Sequence, residues 1–133
     1  MTDEPPEIVE ARRRGDPFLA FLDAHQRQQV LSLEDTWDRI TIGRGPSNDI
    51  GLPWDGDVSR VHAELVRIAD DWAVVDDGLS RNGTFLNGER VERRRRLRDG
   101  DELRCGQTAL RFYAPFEASD RTNVAHPRPD SPA

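Results

Sequence analysis

The sequence predicts an all-β protein, a sandwich of two antiparallel sheets with ligand-binding loops at one edge. Three observations carry that reading. About ten short apolar or alternating segments fill the stretch from Phe18 to Tyr113. Turn residues punctuate them at close spacing. Inside this region no stretch keeps a helical period of 3.6. FLAFL (Phe18–Leu22) opens the set, and QVLSL (Gln29–Leu33) follows after a polar turn. RITIG (Arg39–Gly43) alternates Ile40 and Ile42 with polar positions, and DIGL (Asp49–Leu52) is a brief fourth segment. AELVRI (Ala63–Ile68) and WAVVD (Trp72–Asp76) flank Ala69-Asp70-Asp71, a hairpin turn. TFL (Thr84–Leu86) and ERV (Glu89–Val91) flank Asn87-Gly88, whose two residues tolerate the positive φ of a type I′ turn. ELRC (Glu102–Cys105) follows the Asp99-Gly100 turn, and TALRFY (Thr108–Tyr113) closes the set with Leu110 and Phe112 on one face.

The chain has 133 residues, 35% hydrophobic and 33% charged, which fits one domain with tails. Its organisation reads as a flexible N-terminal tail (1–16), a sandwich domain (17–116) and a disordered C-terminal tail (117–133). EIVEARRR within the first tail has helical potential but little apolar face with which to dock. No apolar run approaches the ~20 residues of a membrane span, and the N-terminus has no apolar signal core, so a cytoplasmic location is expected. The single cysteine, Cys105, excludes an internal disulfide; alternating with Leu103, it reads as a small buried residue.

Every one of the 19 basic residues is arginine. Each can offer a two-pronged bond to phosphate or carboxylate. The net charge of −6 and pI near 5.0 argue against a general nucleic-acid binder. The one basic block, Arg93 to Arg96, lies between Val91 and Leu97 and reads as a solvated connection.

Three loops hold more specific residues than a connection needs: GRGPSNDIGL (Gly43–Leu52), DVSRVHAEL (Asp57–Leu65) and LSRNGTFLNG (Leu79–Gly88). Together they supply Arg44, Ser59, Arg60, Arg81 and Asn82. These are guanidinium, hydroxyl and carboxamide donors with little to act as a base. Such a set matches a phosphate, which offers three acceptor oxygens and about −1.5 to −2 charge. Of the two Asn-Gly pairs, Asn87-Gly88 turns a hairpin, whereas Asn82-Gly83 falls inside the third of these loops.

GR-x3-N-DI-x-L, SR-x-H-A-x-L and S-x-NGTFLNG, in this order, resemble the motifs of the forkhead-associated (FHA) family, and the resemblance spans roughly Phe18 to Pro115. It implies a sandwich of about eleven strands whose loops bind phosphothreonine peptides. On that resemblance Arg44 pairs with the phosphate and Ser59 donates its hydroxyl to a phosphate oxygen. Arg60 adds a phosphate or peptide contact, Arg81 stands at a variable position, and Asn82 hydrogen-bonds the peptide main chain. Gly43, His62, Gly83 and Thr84 correspond to positions that hold the loops in shape. The implied function is a non-catalytic module in a Ser/Thr kinase pathway. Its partner is a phosphothreonine-containing protein, such as a kinase or its substrate, with no cofactor, metal, nucleic acid or membrane.

Two other readings of the same residues stay open. One is an FHA-fold scaffold that binds a protein partner without phosphate. The other is a hydrolase using Ser59 and His62 with Asp76 as orienter, although no nucleophile elbow surrounds Ser59. His25, His62 and His126 are too scattered for a metal site. Trp54 and Asp57, in PWDGDV beside Ser59, stand where the family reads the third residue after phosphothreonine. They predict a weak preference for acid there and a better one for apolar or basic residues. Thr122 in the C-terminal tail offers a phosphorylation site that could fold back on the domain.

Overall fold

In four strands, Arg39–Gly43, Ala63–Ile68, Glu102–Cys105 and Thr108–Tyr113, burial follows the apolar alternation of the sequence. The computed structural model describes residues 4–33 and 37–115. In chain order the strands are β1 (Phe18–Leu22), β2 (Gln28–Ser32), β3 (Arg39–Gly43), β4 (Ile50–Gly51), β5 (Ala63–Ile68) and β6 (Asp71–Asp76). They continue as β7 (Thr84–Leu86), β8 (Glu89–Arg90), β9 (Arg93–Arg96), β10 (Glu102–Cys105) and β11 (Thr108–Tyr113). They form a six-stranded sheet, β2-β1-β11-β10-β7-β8, and a five-stranded sheet, β4-β3-β5-β6-β9. All pairings are antiparallel except β3 with β4.

Between the sheets lie Ile40 and Ile42 of β3, Leu65 of β5, Val74 of β6, Leu103 of β10, and Leu110 and Phe112 of β11, all buried. One face of each of these strands is thereby removed from water, the largest favourable contribution to folding. Cys105 belongs to the same core, as its alternation with Leu103 predicts. Burial, followed by the charges of Asp76 and Asp55, pushes its thiol up to about 12. The hairpin turn at Asn87 (φ 51) and Gly88 (φ 87) has both residues left-handed, which matches strand twist.

Two segments differ from the sequence reading. Residues 6–14 are not a flexible tail but a docked helix, α1 (Pro6–Arg14). Proline occupies its first turn, Glu7 lies near its N-terminus and Arg12, Arg13 and Arg14 near its C-terminus, and Gly15 (φ 86) closes it by donating to the Arg12 carbonyl. Its apolar face is only Ile8 and Ala11, but both are buried with Phe18 and Ala20, beside Val30 and Tyr113. The sheet supplies the missing partner: Phe18 and Tyr113 stack at 4.6 Å, and the Arg12 guanidinium sits 5.1 Å above the Tyr113 ring.

The second correction is the arginine block. Arg93–Arg96 is not a solvated connection but β9, paired with β6 from Asp76↔Arg93 to Ala73↔Arg96. Backbone pairing needs no apolar side chain. Val91 and Leu97, both buried, anchor the two ends while all four arginines stay exposed. A charged edge strand also discourages pairing with other chains. Thr122, His126 and the C-terminal segment 117–133 lie outside the described residues. Among the described residues, no helix is long and apolar enough to cross a membrane.

Candidate functional site

The loops after β3, before β5 and between β6 and β7 meet at one end of the sandwich. Arg44, Ser59, Arg60, Arg81 and Asn82 line a single cleft of about 660 Å³ there. Gly43, His62, Gly83 and Thr84 are buried and do not line it.

The first loop is held by close backbone approach. Arg44 N–H donates to the Ser59 carbonyl at 2.9 Å, and Gly45 N–H to the Arg60 carbonyl at 3.1 Å. The amide of Asn48 donates to the carbonyls of Gly45 (2.8 Å) and Arg60 (2.7 Å). Gly43 is required by this crowding: a Cβ there would fall 2.2 Å from the Arg60 carbonyl oxygen.

Arg44 is exposed, but Nε is fixed by donation to the Val58 carbonyl at 2.9 Å. That bond aims the guanidinium while leaving its terminal nitrogens for a ligand. Among the described residues, neither Arg44 nor Arg60 nor Arg81 pairs with a carboxylate. Ser59 Oγ accepts from Arg81 N–H at 2.9 Å, so its own proton can turn to an anion in the cleft. The Asn82 amide donates to the Asp57 carbonyl at 2.9 Å, which ties the second loop to the third and leaves the amide oxygen to accept.

His62 is fully buried behind the cleft. Ser59 N–H donates to Nδ1 at 3.0 Å, so Nε2 carries the proton and donates to the Gly83 carbonyl at 2.9 Å. Both ring nitrogens are therefore taken by backbone. Asp76 is turned to its own loop. It accepts from the Leu79 N–H (2.9 Å), the Ser80 N–H and hydroxyl, and the Thr84 hydroxyl (2.7 Å). Burial opposes its charge, but these hydrogen bonds outweigh it and hold the carboxyl below its ordinary value. Serine, histidine and aspartate thus make no connected triad: Ser59 meets His62 through its backbone nitrogen, and Asp76 meets neither.

Beside the loop-holding positions Gly43, His62, Gly83 and Thr84, two further groups that stiffen the loops, Ser80 and Asp55, have no clear mark in the sequence. Ser80 relays from Asp76, its hydroxyl accepting from Gly83 N–H at 2.9 Å. Buried Asp55 accepts from the N–H groups of Asp57 (3.0 Å) and Gln107 (2.7 Å) and from the Thr108 hydroxyl (2.7 Å). The only available signal was an aspartate close before a glycine, in DDG and DGD. Trp54 is 38% exposed and lines a second cleft of about 710 Å³ with Arg104 and Gln107. Gly56 and Asp57 line both clefts, so this segment is their common wall. The Asp57 carboxylate accepts from Gln107 Nε2 at 2.8 Å. Among the described residues no group of three or more His, Cys, Asp or Glu could hold a metal.

Comparison with known proteins agrees with this architecture. The model of the FHA domain matches residues 40–106. An oxoglutarate dehydrogenase inhibitor of Corynebacterium jeikeium is 46% identical over 110 residues, covering 83% of this chain and 73% of that protein. Among solved structures, the FhaA FHA domain complexed with the intracellular domain of Rv3910 is 30% identical with a TM-score of 0.61, over 73% of this chain and 99% of that one. A structure from an analysis of phosphothreonine-dependent FHA domain interactions has the same identity and TM-score, over 73% of this chain and 94% of that one.

Proposed function

This chain belongs to the FHA-domain family, and we propose that it is a non-catalytic phosphothreonine-binding module acting in a Ser/Thr kinase pathway. One observation carries the proposal: three arginines without carboxylate partners among the described residues, the Ser59 hydroxyl and the Asn82 amide line one cleft on braced loops. In this reading the Arg44 guanidinium takes the phosphate, with Ser59 O–H donating to a second oxygen. Arg60 adds charge from beside the Asn48-bound backbone, and Arg81 from the rim. Asn82 holds the peptide main chain. Each charge-assisted bond contributes about 1.5–3 kcal/mol, reduced by the desolvation of arginine and phosphate. Arg44, Ser59 and Asn82 are held by hydrogen bonds before the ligand arrives, which lowers the ordering entropy that opposes binding.

The partner is a phosphorylated protein. The relative named as a dehydrogenase inhibitor suggests a metabolic enzyme as one class of target for this chain. The test is a fluorescence-anisotropy titration with degenerate peptides carrying phosphothreonine, phosphoserine or threonine, with Arg44→Ala alongside. The expected result is selective phosphothreonine binding that weakens with salt and is lost in Arg44→Ala. Binding that ignores both phosphate and Arg44 would favour the scaffold that docks a partner without phosphate.

A further inference from the structure

Gly83 contacts an arginine that the motifs leave out. Its own φ is +93, and a Cβ placed there would stand 3.2 Å from both Nε and Cζ of Arg90. The Arg90 side chain therefore lies against the bare backbone of the Asn82-Gly83 loop. Arg90 belongs to β8, the outermost strand of its sheet, and β9 is the outermost strand of the other. The β6–β9 register sets Arg93 opposite Asp76, where the ligand loop begins, and Arg94 opposite Val75.

Ion pairing along this edge is uneven. Away from the cleft, Arg95 pairs with Glu89 at 3.4 Å and Arg96 with Asp71 at 3.0 Å. Nearer the cleft, Arg90, Arg93 and Arg94 are exposed, and none pairs with a carboxylate among the described residues. The exposed acids beside them in sequence are Glu89, which is taken by Arg95, and Glu92, while exposed Asp77 follows Asp76, the residue opposite Arg93. A chain with net charge −6 thus leaves a cationic strip running from the cleft rim along its edge strands.

We propose that Arg90, with Arg93 and Arg94, forms a second anion-accepting subsite that takes an acidic flank of the same phosphothreonine peptide. The proposal rests on the phosphothreonine reading of the cleft and extends it. The shared chemistry is an anion within reach of Asn82, supplied either by aspartate or glutamate side chains or by a second phosphate. Guanidinium groups accept both, and a phosphate carries more charge.

The experiment uses the full chain and three phosphothreonine peptide pools: neutral flanks, aspartate-rich flanks on either side, and neutral flanks with a second phosphoserine. The readout is the affinity of each anionic pool divided by that of the neutral pool. In the wild type the aspartate pool should gain about fivefold, the scale of one or two exposed ion pairs, and the second phosphate more. Both ratios should fall toward one in Arg90→Ala and in the double variant Arg93→Ala/Arg94→Ala, and both should shrink as salt rises. A gain confined to the second phosphate would identify phosphate rather than carboxylate as the flank anion. Neutral peptides that bind with no gain from either anion would overturn the subsite alone. A gain that survives both variants would also overturn it. Failure of every phosphothreonine pool to bind would overturn the cleft reading and the subsite together.

Discussion

One added methyl group at Gly43 tests whether the cleft is built on close backbone contact. A Cβ there falls 2.2 Å from the Arg60 carbonyl oxygen, 2.9 Å from its carbonyl carbon and 2.7 Å from Asn48 Nδ2. The neighbours have nowhere to go without loss. Relief requires the oxygen to retreat from 2.2 Å to at least 3.0 Å. That same oxygen accepts from Gly45 N–H at 3.1 Å and Asn48 Nδ2 at 2.7 Å, and the adjacent Ser59 carbonyl accepts from Arg44 N–H at 2.9 Å. Losing two or three such bonds at about 0.5–1.5 kcal/mol each gives Gly43→Ala an expected destabilisation of about 2–4 kcal/mol. The melting temperature should fall by roughly 10 °C or more. Two other glycines supply the scale. At Gly45 a Cβ meets Arg60 Cγ at 2.8 Å, a side-chain atom that can rotate away, so Gly45→Ala should lose about 1 kcal/mol. At Gly56 nothing lies within 4 Å, so Gly56→Ala should stay within about 0.5 kcal/mol of wild type. Urea denaturation measures all three, and anisotropy with a phosphothreonine peptide measures the cleft. Equal stability of Gly43→Ala and Gly56→Ala would refute the reasoning, because the first loop would then be free to move.

The Asp76 carboxyl is held below its ordinary value, so the folded state binds fewer protons than the unfolded chain near that value. Its contribution is present above the unfolded pKa of about 3.9 and is lost as pH falls through the folded one. Asp76→Asn should therefore flatten the acid limb of a stability–pH curve, and an unchanged limb would contradict the loop network. Ile8→Ala should destabilise by about 2 kcal/mol by opening the α1 contact, with no change in phosphopeptide affinity. The helix packs on Tyr113, at the opposite end of β11 from Thr108, which bonds Asp55; a parallel loss of affinity would place the helix in the site. The Cys105 thiol, buried and pushed up to about 12, should react with a disulfide reagent at neutral pH only when the domain opens. Labelling at the same rate in buffer and in denaturant would count against that.

Strands were legible wherever one face is buried. β3, β5, β10 and β11 have the bounds their alternation predicts, because the residues facing the core are also those that alternate. β9 was not, since its strand character comes from the backbone of β6 and four arginines show no face. Docking of α1 was not, since the surface receiving Ile8 and Ala11 includes Phe18 and Tyr113, which meet only when β1 pairs with β11. The cleft divides in the same way. Residues offering chemistry to a ligand stood out by type, and the structure brings Arg44, Ser59, Arg60, Arg81 and Asn82 together. Of the residues that stiffen their loops, Gly43, His62, Gly83 and Thr84 were reached only through the family resemblance, and the bracing role of Asp55 and Asp76 was not, because they bind backbone N–H groups and hydroxyls, which every sequence contains. Yet these two carboxylates explain how the cleft remains cationic in an acidic chain. Each accepts at least three hydrogen bonds from its own neighbourhood, and neither lines the cleft. The charges of Asp55 and Asp76 thus fix the loops from behind while the guanidinium groups face the opening, and Asp57, the acid that does line the cleft, accepts from Gln107. Removing either aspartate should weaken anion binding, although simple charge counting predicts the reverse.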